Sequence, residues 1–144
     1  MTKHVSVIFI HASLEQVWIG ITSPEFTRQY FHNTDIESDW QAGSPVTFYN
    51  QDKSIAVAGE VIEARPSEFL RYSWHVRYNP AATQEKPSRV TFELETKNDA
   101  TKLTVTHDEF PDNSVVYPQI TEGWIAILCN LKTLLETNKV MAIS

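Results

Sequence analysis

Cysteine occurs once, at Cys129, so no internal disulfide can form and no thiolate metal site can be assembled. The thiol falls near the polar side of its predicted helix and reads as a partly buried bystander. His4, His11, His32, His75 and His107 are scattered, with no pair at the i, i+4 spacing of a helical metal site, and no metal is expected. No run of Lys or Arg occurs and the net charge is −6, which argues against nucleic acid or an anionic membrane surface as the main partner. No segment approaches the roughly 18 to 20 apolar residues of a membrane span. The apolar run 5–10 is too short for a signal peptide and lacks a small-residue cleavage site, so a cytoplasmic location is the expectation. There is no Gly-rich phosphate loop, no Gly-x-Ser-x-Gly elbow and no nucleophile with an evident base, so neither a catalytic residue nor a cofactor is predicted. No repeat, low-complexity tract or linker divides the 144 residues, which read as one domain, 1–144, able to build its own core.

What the chain does have is one long helical pattern among strands. At about 100° per residue, Tyr117, Ile120, Trp124, Ile127, Leu128, Leu131, Leu134 and Leu135 share an arc roughly 140° wide. Glu122, Ala126, Cys129, Thr133 and Glu136 fall opposite. The helix is predicted over 114–138, with Pro118 in its first turn, Asn113 or Ser114 as cap, and Asn138 as a left-handed stop. Lys132 and Lys139 place positive charge toward the negative end of its dipole, and the chain is expected to fray after Val140.

The strands come first. Residues 5–11 read as a strand with apolar residues on both phases. Ser13 with Gln16 forms a capping box for a short helix, and Ser23-Pro24 restarts a second one carrying Phe26, Tyr30 and Phe31. Ile36 with Trp40 marks a short strand, 46–49 another, and 54–64 a third in which Gly59 marks a bulge or bend. The clearest strand is 70–78, where Leu70, Tyr72, Trp74, Val76 and Tyr78 alternate against Arg71, Ser73, His75 and Arg77. His75 falls on the solvent phase, and Arg71, Arg77 and Arg89 are placed to pair with Glu93 and Glu95 across the sheet. Strands 89–96 and 102–110 follow, the first with Val90, Phe92 and Leu94 inward. Short turns require antiparallel neighbours, so the fold class is α+β: a curved antiparallel sheet of about six or seven strands around a long C-terminal helix.

Ordered along nearly the whole chain are Val17-Trp18, Thr22-Ser23-Pro24-Glu25, Gly59-Glu60-Val61-Ile62-Glu63, Pro66, Leu70 and Trp74. Residues 101–107 and then Gly123-Trp124 with Leu128, Leu131 and Leu135 complete the set. In these positions the sequence resembles the START-related SRPBCC superfamily, and within it the homologues of the activator of the 90-kDa heat-shock protein ATPase. Tyr30-Phe31 stands where that family often has two tryptophans. The resemblance implies a helix-grip (START-like, Bet v 1-like) fold with a cavity between sheet and helix, used by relatives to hold apolar small molecules.

The predicted cavity lining is Tyr72, Trp74, Tyr78, Phe92, His107, Trp124, Ile127 and Leu128, since apolar walls with a few polar tips suit a hydrophobic or amphipathic ligand such as a lipid or planar aromatic. The alternative is that these rings fill one another's space and leave no hole. His107 continues the inward phase of Leu103 and Val105, with Glu109 next, so the pair could orient a ligand, or His107 with Glu109 or Tyr72 could move a proton in an enzyme resembling the polyketide cyclase and dehydratase relatives. A solvated strand-end histidine is the other reading. The third possibility is a chaperone contact like that of the heat-shock ATPase activator.

Overall fold

The computed structural model describes residues 2–141. In chain order the elements are β1 (His4–Ile10), α1 (Leu14–Thr22), α2 (Pro24–Tyr30), β2 (Asp35–Ser38), β3 (Pro45–Tyr49), β4 (Ile55–Arg65), β5 (Phe69–Val76), α3 (Pro80–Thr83), β6 (Ser88–Lys97), β7 (Ala100–Asp108) and α4 (Val116–Thr137). One curved sheet runs β1-β7-β6-β5-β4-β3-β2 with every neighbouring pair antiparallel. Consecutive strands pair because their turns are short, and the first strand returns to the last, His4 opposite His107 and Ile10 opposite Thr101. The one-turn helix α3 lies inside what reads as a polar loop, where the Asn79 side chain accepts from the amides of Ala81 and Ala82.

Burial along β5 and β7 alternates as the sequence pattern requires, with Leu70, Tyr72, Trp74 and Val76 inward from β5 and Leu103, Val105 and His107 inward from β7. The two-phase apolar strand β1 resolves with Ile8 and Ile10 toward the core, leaving Val5, Val7 and Phe9 half exposed. A Cβ at Gly59 would overlap the carbonyl oxygen of Ser73, and the Ser73 hydroxyl instead accepts from the Glu60 amide at 2.9 Å. Gly59 therefore marks a close approach, while the bulge falls between Val61 and Glu63.

Helix α4 packs against β1, α1 and α2. Ile120, Trp124, Ile127, Leu128, Leu131 and Leu134 are buried, and Glu122, Ala126, Cys129 and Glu136 are exposed, so the apolar arc is the contact face and Cys129 sits in solvent rather than partly buried. In α1, the Ser13 and Gln16 capping box is formed, and Gly20 leaves room for Leu131 and Leu135, whose carbons would lie 3.1 and 3.4 Å from a Cβ there. The α4 start differs from either simple cap. Ser114 Oγ accepts from the amides of Val116 and Tyr117 at 3.1 Å and donates to Glu85 Oε1 at 2.6 Å, while Glu85 Oε2 accepts from the Val115 amide at 2.6 Å. A carboxylate from the β5–β6 connection thus sits at the positive end of the helix dipole.

Glu85→Gln removes that charge, and it is expected to cost about 1 kcal/mol by urea denaturation. Faster amide exchange should be confined to Val115 through Tyr117, and unchanged exchange there would contradict the cap. At the other end Asn138 adopts φ 64 and its amide reaches Leu134 O at 2.8 Å, as the sequence predicts. Lys132 serves the sheet edge more than the dipole: its Nζ donates to Phe9 O and pairs with Glu136, both at 2.7 Å. The expected fraying after Val140 does not apply to Met141, whose amide and carbonyl are held by the buried Asn130 side chain; residues 142–144 lie outside the described residues.

Candidate functional site

A cleft of about 480 Å³ opens between the sheet and the first half of α4. That volume is within the range of about 300 to 1,000 Å³ usual for small-molecule sites. Its floor is Phe48 from β3, Ala56 and Val57 from β4 and Trp74 from β5; Phe31 closes it behind α2, and Ile120, Gly123, Trp124 and Ile127 roof it. The polar lining is His32, Thr34, Asn50 and Gln119, with Tyr78 beside it, and no Asp, Glu, Lys or Arg contributes. The rings interlock: centroids of Phe31 and Phe48 lie 4.8 Å apart, of Phe31 and Trp124 5.7 Å, and of Trp74 and Trp124 5.8 Å.

Side-chain volume decides where the gap falls. Opposite β5, β6 and β7 the space under α4 is taken by Trp74, Phe92, His107 and Trp124, with His107 5.4 Å from Trp74 and Phe92 5.9 Å from Trp124 between ring centroids. Opposite β4 the facing residues are Ala56 and Val57, and α4 presents Gly123, so the layers part. Of the predicted lining, Trp74, Tyr78, Trp124 and Ile127 therefore border the cleft, whereas Tyr72, Phe92, His107 and Leu128 are buried outside its lining. Tyr78 lies beyond the end of β5 and is 56% exposed, which puts it at the margin rather than on the inward phase of the strand. Sequence reasoning missed Phe31, Phe48, Ala56, Ile120 and Gly123. Small residues on β4 against a lone glycine on the helix were the available signal.

His107 is completely buried and spoken for at both ring nitrogens. Trp124 Nε1–H lies 3.0 Å from His107 Nδ1, and because an indole nitrogen can only donate, Nδ1 accepts. The ring proton then resides on Nε2, which donates to Ser88 Oγ at 2.7 Å, and Ser88 can pass its own hydrogen to Trp74 O at 3.4 Å. Burial pushes the His107 pKa down to about 3, reinforced by His4 and opposed by Asp108. Glu109, expected as its partner, follows the end of β7 in a left-handed turn (φ 65) and is exposed, so no His and carboxylate pair forms at a cavity mouth. This histidine locks the helix to the sheet; a group so poorly protonated and so enclosed is ill suited to proton transfer.

Among the described residues one fully inaccessible side-chain polar atom has no hydrogen-bond partner: the indole N–H of Trp74, a residue 5% exposed. Such an orphaned donor costs on the order of 1 to 3 kcal/mol.

The other predicted surface features are rearranged. His75 is half-buried, its Nε2 2.9 Å from Thr83 O and its Nδ1 accepting from Arg77 Nε at 2.7 Å. Arg71 donates to Thr91 and Arg89 pairs with Asp108 at 2.9 Å, in place of the expected pairing with Glu93 and Glu95. No group of three or more His, Cys, Asp or Glu that could hold a metal ion occurs among the described residues, and none of their helices is long and apolar enough to cross a membrane.

Among solved structures the chain is similar to a Mesorhizobium loti protein, with TM-score 0.80 at 21% identity over 96% of this chain and 100% of that one. It is also similar to the Aha1 dimer from Colwellia psychrerythraea, with TM-score 0.77 at 20% identity over 96% and 99% of the two chains. A third is an HSP90 activator from Plasmodium falciparum, with TM-score 0.76 at 19% identity over 94% and 97%. At these identities the likeness establishes the helix-grip fold. No curated protein matches the chain. The family model described as Activator of Hsp90 ATPase homolog 1-like protein matches residues 11–136, nearly the whole chain, and the protein belongs to that family.

Proposed function

We propose that the chain is a small-molecule binding module that holds a hydrophobic or amphipathic ligand, a lipid or a planar aromatic, between the sheet and α4. The observation that carries this reading is the cleft of about 480 Å³ whose walls are Phe31, Phe48, Trp74, Ile120, Trp124 and Ile127. Apolar surface held open to this extent is removed from water by a ligand at about 25 cal/mol per Å² buried, with the rings already in place. Titrating the labelled protein with a panel of lipids and planar aromatics is expected to produce saturable shifts at Trp74, Trp124 and Ile127 for at least one class. No shift at any of the three with any compound would remove the proposal.

The second reading is a chaperone contact, supported by the matched family's description and by the Plasmodium falciparum neighbour. Its discriminating measurement is stimulation of a 90-kDa heat-shock protein's ATPase by the chain, which a pure ligand carrier does not produce.

A further inference from the structure

We infer that the free edge of β1 is a self-association surface, where a second copy of the chain pairs antiparallel, Val5 facing Val7 of the other copy and Val7 facing its Val5. β1 ends the sheet, so one row of its backbone groups points away from β7. Three bonds identify that row as the odd-numbered residues: Tyr117 Oη donates to Lys3 O at 3.2 Å, Lys132 Nζ to Phe9 O at 2.7 Å, and the His11 amide to Glu136 Oε2 at 2.7 Å. Strand alternation puts the N–H and C=O of Val5 and Val7 in the same row, where no partner meets them among the described residues. Natural edge strands usually carry lysine, proline or a bulge against pairing. Here the outer face presents Val5, Val7 and Phe9, each half exposed. On the inner face Ser6 and Ile8 are only partly buried, and Ile125, seven residues before Lys132 and so on the same stripe of α4, is 57% exposed. Both flanks of the edge are thus incompletely covered by the chain itself.

The occupant follows from the caps and from the opposite edge. Tyr117 and Lys132 hold the carbonyls on either side, so only Val5 and Val7 are open. Of the two-fold antiparallel registers, the one that sets Val5 against Val7 makes four main-chain hydrogen bonds from unoccupied groups alone. Centring on one valine makes two and then meets a capped carbonyl. In the favoured register the valines alternate across the outer face and each Phe9 ring lies beside a Lys3 stem of the other copy, an arrangement that repeats itself under the two-fold. The far edge is already taken: at β2 the Thr27 hydroxyl donates to Thr34 O at 2.9 Å and accepts from the Ile36 amide at 3.1 Å, with Asp35 held by Arg28. Sheets therefore do not add head to tail, and the pairing closes at two. Each copy contributes a few residues, under the roughly 1,200 Å² of a standard stable interface, so the dimer is weak, with Kd on the order of 100 µM.

The test is sedimentation velocity and amide NMR spectra of the full chain from about 10 µM to about 1 mM, run beside Val7→Lys, whose ammonium projects from the outer face without entering the core. The unaltered chain is expected to move toward twice the monomer mass as concentration rises, with saturable shifts at the Val5 and Val7 amides and none at Ile36. Val7→Lys should self-associate at least about tenfold more weakly and keep the monomer spectrum elsewhere. A monomer at the highest concentration overturns the inference, as does a dimer whose Val5 and Val7 amides do not move. A monomer whose two amides shift only when an unrelated valine-rich peptide is added gives the edge to a foreign strand and overturns the second copy as its occupant. Should Val7→Lys not fold, the amide shifts of the unaltered chain still decide.

Discussion

Trp124→Ala is expected to destabilise the protein by about 3 to 5 kcal/mol, the usual cost of deleting a buried tryptophan. Trp124 is 2% exposed and touches Phe31, Trp74, Phe92 and His107, so its removal leaves a void that rings on two sides of the core cannot jointly collapse into. It also strips His107 Nδ1 of its donor. Trp124→Phe weighs the second effect more heavily, since it loses the N–H and only part of the ring volume, at a cost of about 1 to 3 kcal/mol. Against a total stability of about 5 to 15 kcal/mol, the alanine variant sits near the edge of folding and the phenylalanine variant does not. Urea denaturation monitored by the remaining tryptophans measures both. An alanine cost below about 1 kcal/mol would mean that the helix is not pinned to the sheet at this residue.

How far these features were readable from sequence depends on which physical rule sets them. Period-two alternation places Leu70, Tyr72, Trp74 and Val76 inward, and the helical period places Ile120, Trp124, Ile127, Leu128, Leu131 and Leu134 on one face, because burial of an apolar phase is a local pattern with a single solution. Caps follow the same logic at Ser13, Pro24 and Asn138. The α4 start did not, because Glu85 reaches it from a loop 30 residues earlier in the chain. The cleft is harder still, being a difference between volumes on opposite layers. Phase says that Tyr72, Phe92 and His107 point inward, which they do, but only the register of Trp74, Phe92 and His107 beneath Trp124 shows that this side is full. The opening appears instead over Ala56 and Val57, where the sequence offers smallness rather than a conspicuous aromatic. Tyr78 illustrates the same limit from the other direction: its phase is correct on paper, but the ladder ends at Val76.

His107 predicts how the fold fails in acid. Its folded pKa lies at about 3, because burial opposes the charged ring, whereas in the unfolded chain it returns to about 6.5. Above pH 6.5 both states are neutral at this site and the Trp124–His107–Ser88 bonds contribute fully. As the pH falls below 6.5 the unfolded chain takes up a proton that the folded chain refuses, so stability drops at up to about 1.4 kcal/mol per pH unit. Between pH 6.5 and 4.5 the loss is roughly 2 to 3 kcal/mol from this residue. His4, also shifted down by burial, adds to it in the same direction. Asp35, Asp52 and Glu136 have lowered folded pKa values, and their stabilisation is lost as the pH falls from the ordinary carboxylate range of about 4 to 4.5 toward those lowered values. The upper part of the window, from 6.5 to about 5.5, therefore reports mainly the histidines. Urea unfolding at pH 7, 6 and 5 should show the decline in the unaltered protein and a markedly shallower one in His107→Gln, which starts less stable at pH 7 because one of two ring hydrogen bonds is lost. Parallel declines in the two proteins would mean that the Trp124–His107–Ser88 chain is not what couples the helix grip to pH.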